Sequence, residues 1–310
     1  MIWNAMTEFR CYDPIENPRE THMNKVLKAA FAAFLVAGMS QAAHAQIIGD
    51  QNTSVTGDAI YVEEDNVAYE QVGNSGLTIS GALGLPLNPT ARIPAKGSSI
   101  VQANYFDLFS AETTDASLYG LYAATRLGDA PVELSVGIER LSADNDVLDI
   151  DRTGFALGIK YLVTGDNDTD PEAVRVAVGA GYSSALYKNK HVYAVATKAF
   201  SAGTRVVTGH IGARYDRFSI NGLDLDSSKV SFYGGLEVPI DRRGHFNLVG
   251  EVGTKNANTE LGGASPYSLS LRYQGESGLA VSAGIARQGV TSNFTNDSGG
   301  RLFAQVGKTF

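Results

Sequence analysis

The chain has 310 residues, with 33 acidic and 25 basic side chains and a net charge of −8. That balance excludes nucleic acid as an expected partner, because a phosphate backbone is bound through a surplus of Lys and Arg. The only Cys (Cys11), the only Trp (Trp3) and all four Met lie within the first 39 residues.

Residues 1–22 read as an over-extended start. From Met23, Lys25 and Lys28 form a positive region, residues 29–38 an apolar core, and Ala43-His44-Ala45 precedes Gln46. Residues 23–45 therefore read as a secretory signal peptide cleaved near Ala45. A chain starting at Gln46 has no thiol, so disulfides, a thiolate nucleophile and a Cys metal site are excluded. It also has no run of 18 apolar residues, which excludes a transmembrane helix. A mean hydropathy of −0.08 is compatible with a membrane barrel, in which only alternate residues face lipid.

Residues 46–96 do not alternate and read as an N-terminal extension. Pro86, Pro89 and Pro94 keep residues 84–97 (GLPLNPTARIPAKG) out of any central strand. The segment either crosses a lumen, lies beneath a barrel or is a periplasmic linker. No plug domain or receptor motif is recognisable in it.

From residue 97 to 310 apolar and polar or small residues alternate, as in PVELSVGIER at 131–140. Strands are predicted near 98–109, 116–126, 131–141, 152–164, 172–186, 191–200, 204–217, 229–239, 245–254, 266–274, 279–287 and 301–310. About twelve strands, within a range of ten to fourteen, form an all-β, transmembrane, antiparallel up-and-down barrel. Tight turns at 127–130, 201–203, 241–244 and 275–278 alternate with longer connections at 142–151, 218–228, 255–265 and 288–299. Ends with unequal loops face different compartments, short turns in the periplasm and long loops outside. The connection at 165–171 is long for a periplasmic turn, and that at 187–190 short for an external loop.

Val132, Leu134, Val136 and Ile138, or Phe155, Leu157, Ile159 and Tyr161, make outward faces. Tyr161, Tyr182, Tyr215, Tyr267 and Tyr273, near strand ends, are predicted to form an interfacial girdle. The opposite faces are Gly-rich and carry the candidate lumen charges Glu133, Glu139, Arg152, Lys160, Arg175, His210, Arg214, Glu237, Glu251 and Arg272. One register of the 131–164 hairpin brings Glu133 near Lys160 and Glu139 near Arg152, and His210 has Glu237 on the next strand as partner. A lumen lined by such pairs is filled or narrow.

Residues 302–310 (LFAQVGKTF) resemble the carboxy-terminal signature of outer-membrane proteins, with Lys308 departing from it. That resemblance implies recognition of Phe310 by the barrel-assembly machinery. Residues 84–97 resemble the G-L-x-x-P-T-A-R-x-x-P-x-G opening of the YjbH-type family of outer-membrane proteins linked to exopolysaccharide production.

Outer-membrane phospholipases, also twelve-stranded, need Ser and His together on an outward face. Here His210 points inward and lies nine residues from Ser219, so no catalytic residue is assigned. His191 is placed at the rim and His245 beside a tight turn. Residues 166–170 (DNDTD) have carboxylates at calcium-loop spacing, but Pro171 stands where Gly is needed and the distal Glu is missing. Asp144, Asp146, Asp149, Asp151, Asp224 and Asp226 are external acids that suit divalent cations beside lipopolysaccharide phosphates. No metal or cofactor is assigned. The expected function is a narrow porin-like channel or an export-associated envelope protein, in contact with outer-membrane lipid and lipopolysaccharide and serving small solutes or exopolysaccharide. The alternatives are a structural barrel without a pore and an outer-membrane hydrolase.

Overall fold

The computed structural model describes residues 61–62, 67–68 and 76–310, apart from 112–113, 146–149, 165–172, 186–187, 203–204, 221–224, 242, 257–263 and 290–298. The expected signal peptide, the acidic turn at 166–170 and Asp146, Asp149 and Asp224 lie outside the described residues. After two short strands, β1 (Tyr61–Val62) and β2 (Val67–Ala68), come β3 (Ser99–Ala111), β4 (Thr114–Arg126), β5 (Val132–Asn145), β6 (Ile150–Thr164), β7 (Arg175–Ser183) and β8 (Lys188–Ala202). They are followed by β9 (Arg205–Ile220), β10 (Leu225–Pro239), β11 (Phe246–Gly253), β12 (Tyr267–Gln274), β13 (Leu279–Arg287) and β14 (Arg301–Thr309).

From β3 to β14 every strand pairs antiparallel with its neighbours in sequence, and β14 pairs with β3. The sheet is thus a closed twelve-stranded up-and-down barrel with no free edge, so every backbone polar group at membrane depth finds a partner in the wall. Phe310 completes the seam, exchanging backbone hydrogen bonds with Ser99 of 2.8 and 3.1 Å. Both ends of the barrel chain therefore meet at the short-turn end. At 275–278 the turn is closed by Gly278, whose φ of 80° suits glycine.

Two of the expected long external connections are mostly strand. β5 and β6 stay paired to Ala143 and Ile150, and β9 and β10 to Ile220 and Leu225. Alternation fades there because both faces are polar beyond the bilayer, but backbone pairing does not require an apolar face.

Outward side chains form the expected apolar belt: Val136, Ile138, Phe155, Leu157, Ile159, Ile211, Phe232, Leu236 and Leu269 are all exposed. A soluble protein does not present a continuous apolar surface of this kind, whereas a bilayer covers it. No helix of the described residues is long and apolar enough to cross a membrane. Of the predicted girdle, Tyr161 and Tyr215 are exposed and Tyr182 and Tyr267 half-buried. Tyr273 departs from it, buried beneath Phe246 and His245 with ring centroids at 5.1 and 6.2 Å.

The Gly-rich inner face has a packing reason. Tyr122, Tyr193, Tyr233 and His191 stand opposite Gly137, Gly179, Gly212 and Gly181 on neighbouring strands. Each ring occupies the space where a Cβ of that glycine would project. Flat aromatic rings on glycines line the wall without narrowing it as upright rings would.

Candidate functional site

The lumen is not an open channel. Residues 76–93 lie inside the barrel, with Leu77, Thr78, Leu83, Leu85, Thr90, Ala91 and Ile93 fully buried. The segment folds on itself in two tight reversals. Thr78 N–H donates to Ala82 O at 2.7 Å around Gly81, whose φ is 88°, and Leu85 N–H donates to Asn88 O at 2.9 Å around Pro86. A Cβ on Gly84 would meet the Pro89 backbone at 2.7 Å, so only glycine fits between the two reversals.

Reversals leave many N–H and C=O groups without partners in their own segment, and inside a barrel those groups must be satisfied. The wall side chains do this. Gln102 accepts from Leu77 N–H and donates to Leu77 O, both at 2.8 Å, and Gln305 donates to the same oxygen at 2.9 Å. Asn104 donates to Thr78 O at 3.1 Å and Tyr122 to Ile79 O at 2.6 Å. Tyr233 donates to Pro89 O at 2.9 Å, and Ala91 N–H donates to Thr197 Oγ1 at 2.9 Å.

The charged residues do the same with greater strength. Glu133 and Lys160 are direct cross-strand partners and form an ion pair of 2.9 Å with almost no exposure. Glu133 also accepts from Leu83 N–H at 3.0 Å, and Lys160 donates to Leu83 O at 2.8 Å and Arg92 O at 2.7 Å. Glu251 accepts from Leu87 N–H (2.7 Å), Asn88 Nδ2 (2.9 Å) and Ser268 Oγ (2.7 Å). Glu237 gathers two cations, Arg92 Nη1 at 2.9 Å and Arg272 Nη1 at 3.4 Å, and has the His210 imidazole Nε2 at 3.6 Å. Arg272 in turn donates to Gly84 O at 3.3 Å. Buried charges are tolerated only when paired and hydrogen-bonded, and here the inner segment supplies the missing partners.

The structure places the candidate lumen charges on the inner face, and not all of them in the pairs named from the sequence. Glu133 meets Lys160, and His210 lies beside Glu237 with Nδ1 at 2.9 Å from Thr197 Oγ1. Glu139 does not meet Arg152. The register puts Glu139 opposite Gly154 and Arg152 opposite Leu141, one inward position out of step. Glu139 instead lies 3.0 Å from Tyr122 Oη and accepts from Ala185 N–H at 3.3 Å. Arg175 is wholly buried, close enough to Arg92 to act on it electrostatically. Arg214 pairs with Asp216 at 2.7 Å, and Asn189 Nδ2 joins Asp216 at 3.1 Å. His191 is buried on the inner wall at the fourth residue of β8.

Sequence reasoning left the lumen as one of three places for the inner segment and missed its holders Gln102, Asn104, Tyr122, Thr197 and Gln305. Their signal was present as a row of inward polar residues in β3 (Gln102, Asn104) with no charged neighbour to satisfy them. Thr197, His210 and Glu237 come together as a hydroxyl, an imidazole and a carboxylate, yet Thr197 is buried and its oxygen already accepts from Ala91. Among the described residues no group of His, Cys, Asp and Glu could hold a metal ion. Asp151 is held by Arg140 across β5 and β6.

The outer half of the lumen is apolar below its rim. Phe106 and Phe303 stack at 5.1 Å, and Leu118, Leu141 and Leu87 of the inner segment pack with them. Beside this cluster a cavity of about 70 Å³ is floored by Ser80 and Asn88 of the inner segment and walled by Asn189, Arg214 and Asp216. At the short-turn end the chain leaves the lumen past Lys96, which is 2.6 Å from Asp129 and through that hydrogen bond and its charge holds the Asp129 carboxyl below its usual range.

Closed barrel, apolar belt and polar interior define a transmembrane β-barrel of the outer-membrane kind. No known family matches the chain, and no curated protein matches it. Among solved structures it is similar to the KdgM porin (10% identity, 69% of this chain and 98% of that one, TM-score 0.43) and the NanC porin (14%, 68% and 98%, 0.45). An outer membrane channel from Pseudomonas putida F1 is similar at 10% identity, 69% and 94% coverage and a TM-score of 0.44. At these values the architecture rests on the strand pairing of the chain itself.

Proposed function

We propose that this protein is a non-catalytic outer-membrane channel that is closed at rest by its own residues 76–93. The observation that carries the reading is the clamp on the inner segment: Glu133, Lys160, Glu251 and Arg272 each bind its backbone directly. A pore lined for solute would leave such groups to water. Export would remove residues 1–45 by cleavage near Ala45, and the barrel-assembly machinery would read Phe310, both following from the sequence pattern. Lipopolysaccharide would surround the external rim. The likeness of residues 84–97 to the opening of YjbH-type barrels supports envelope exopolysaccharide as the cargo, and gives that motif a physical meaning. Within residues 84–97, Gly84 has no spare room, and Leu87, Asn88, Pro89, Ala91 and Arg92 have wall partners.

The test is planar-bilayer recording of the refolded chain from Gln46 beside a variant lacking residues 76–93. The intact protein should hold the membrane closed, with rare small openings, and the deletion should give a steady conductance. Equal steady currents from both would overturn the closed state. A second reading, a structural barrel without a pore, draws on the same full satisfaction of the plug. It would be supported if the deletion variant folds and still does not conduct.

A further inference from the structure

The cavity above the inner segment carries a feature that the clamp does not use. Asn189 and Asp216 are 4% and 1% exposed, both face this cavity, and Asn189 Oδ1 and Asp216 Oδ2 have no hydrogen-bond partner among the described residues. Elsewhere the buried carboxylates Glu133, Glu237 and Glu251 have both oxygens engaged. A buried acceptor left open is costly, the more so on a carboxylate, and such groups are met by a donor from outside the fold. The site is also built rather than incidental, since Arg214 and Asn189 fix the other oxygen of Asp216 from two strands.

Among the described residues the cavity lies towards the external end. There β11 and β12 have 8 residues each against 16 and 15 for β9 and β10, and Thr254, Asn256 and Gln288 line the cavity. We infer that this vestibule binds the edge of a neutral sugar, with a pair of adjacent hydroxyls donating to Asp216 Oδ2 and Asn189 Oδ1. Acceptors that lack donors select a ligand rich in O–H groups. The volume of about 70 Å³ holds roughly two water-sized groups, so two hydroxyls enter and the rest of the sugar stays at the rim. Of the charged lining residues, Glu139 and Asp216 outnumber Arg214, which disfavours an anionic sugar. Ser80 and Asn88 make the floor, so a bound sugar rests on the inner segment itself.

The inference rests on the outer-membrane barrel reading but not on conduction, so binding is measured apart from current. Saturation-transfer NMR on the refolded chain from Gln46 would use maltotriose, cellotriose and xylotriose, with trigalacturonate as the anionic probe. Asn189→Ala and Asp216→Asn are compared with the parent, their folding checked by heat-modifiable gel mobility. At least one neutral trisaccharide should bind saturably, and each substitution should weaken it roughly tenfold or more. No binding by any neutral trisaccharide, undiminished binding in either folded variant, or tighter binding of trigalacturonate would overturn the site.

Discussion

Lys160 shows how one side chain serves two structures at once. Its ammonium group is paired with Glu133 and also donates to two carbonyls of the inner segment. Replacing it by Met leaves the Glu133 carboxylate buried and unpaired, which should cost about 3–5 kcal/mol in denaturation of the refolded barrel. Glu133→Gln with Lys160→Met should recover part of that loss but not all, because Leu83 and Arg92 remain without their partners. The same cycle on Glu139 and Arg152 should show coupling below about 0.5 kcal/mol, since the register keeps them apart. Strong coupling there would mean that the hairpin pairs in a different register from the one described.

At the scale of elements, the lipid face and the lumen face give opposite responses. Arg at Leu157 or Leu236, both about half exposed on the belt, should cost roughly 2–4 kcal/mol near the bilayer midplane, and the cost should vary with lipid thickness. On the inner face the sensitive sites are glycines: Gly137→Val or Gly179→Val would collide with the Tyr122 or Tyr193 ring and should lower the yield of folded barrel in heat-modifiability assays. Removing Phe310 deletes two backbone hydrogen bonds at the seam and should slow assembly while leaving export intact. The twelve strands were legible because lipid on one side and protein on the other impose a period of two along each strand. For the inner segment the lumen was one of three places that the sequence left open, because its partners are far along the chain, as with Leu87 and Glu251, 164 residues apart. Nothing local marks a turn-rich segment as filling a barrel rather than trailing from it. The one available hint was the surplus of inward polar groups, which a pairwise reading assigned to one another instead of to a missing third partner.

For the whole molecule, the state of the plug decides whether the wall charges matter to ions. On the inner face, Glu133, Glu139, Asp216, Glu237 and Glu251 stand against Arg126, Arg152, Lys160, Arg175, Arg214, Lys229, Arg272 and Arg301, five acids against eight bases. With residues 76–93 in place these groups are screened by the segment they hold, so Glu133→Gln should leave the small currents of the intact barrel unchanged in selectivity. In the variant lacking residues 76–93 the same groups face water in a pore with a surplus of bases that should favour anions. There Glu133→Gln should shift the reversal potential in a salt gradient towards anions, and Lys160→Met towards cations. A selectivity shift from Glu133→Gln in the intact barrel equal to that in the deletion variant would show ions already passing Glu133 at rest, and the inner segment would then be a lining of the pore rather than its closure.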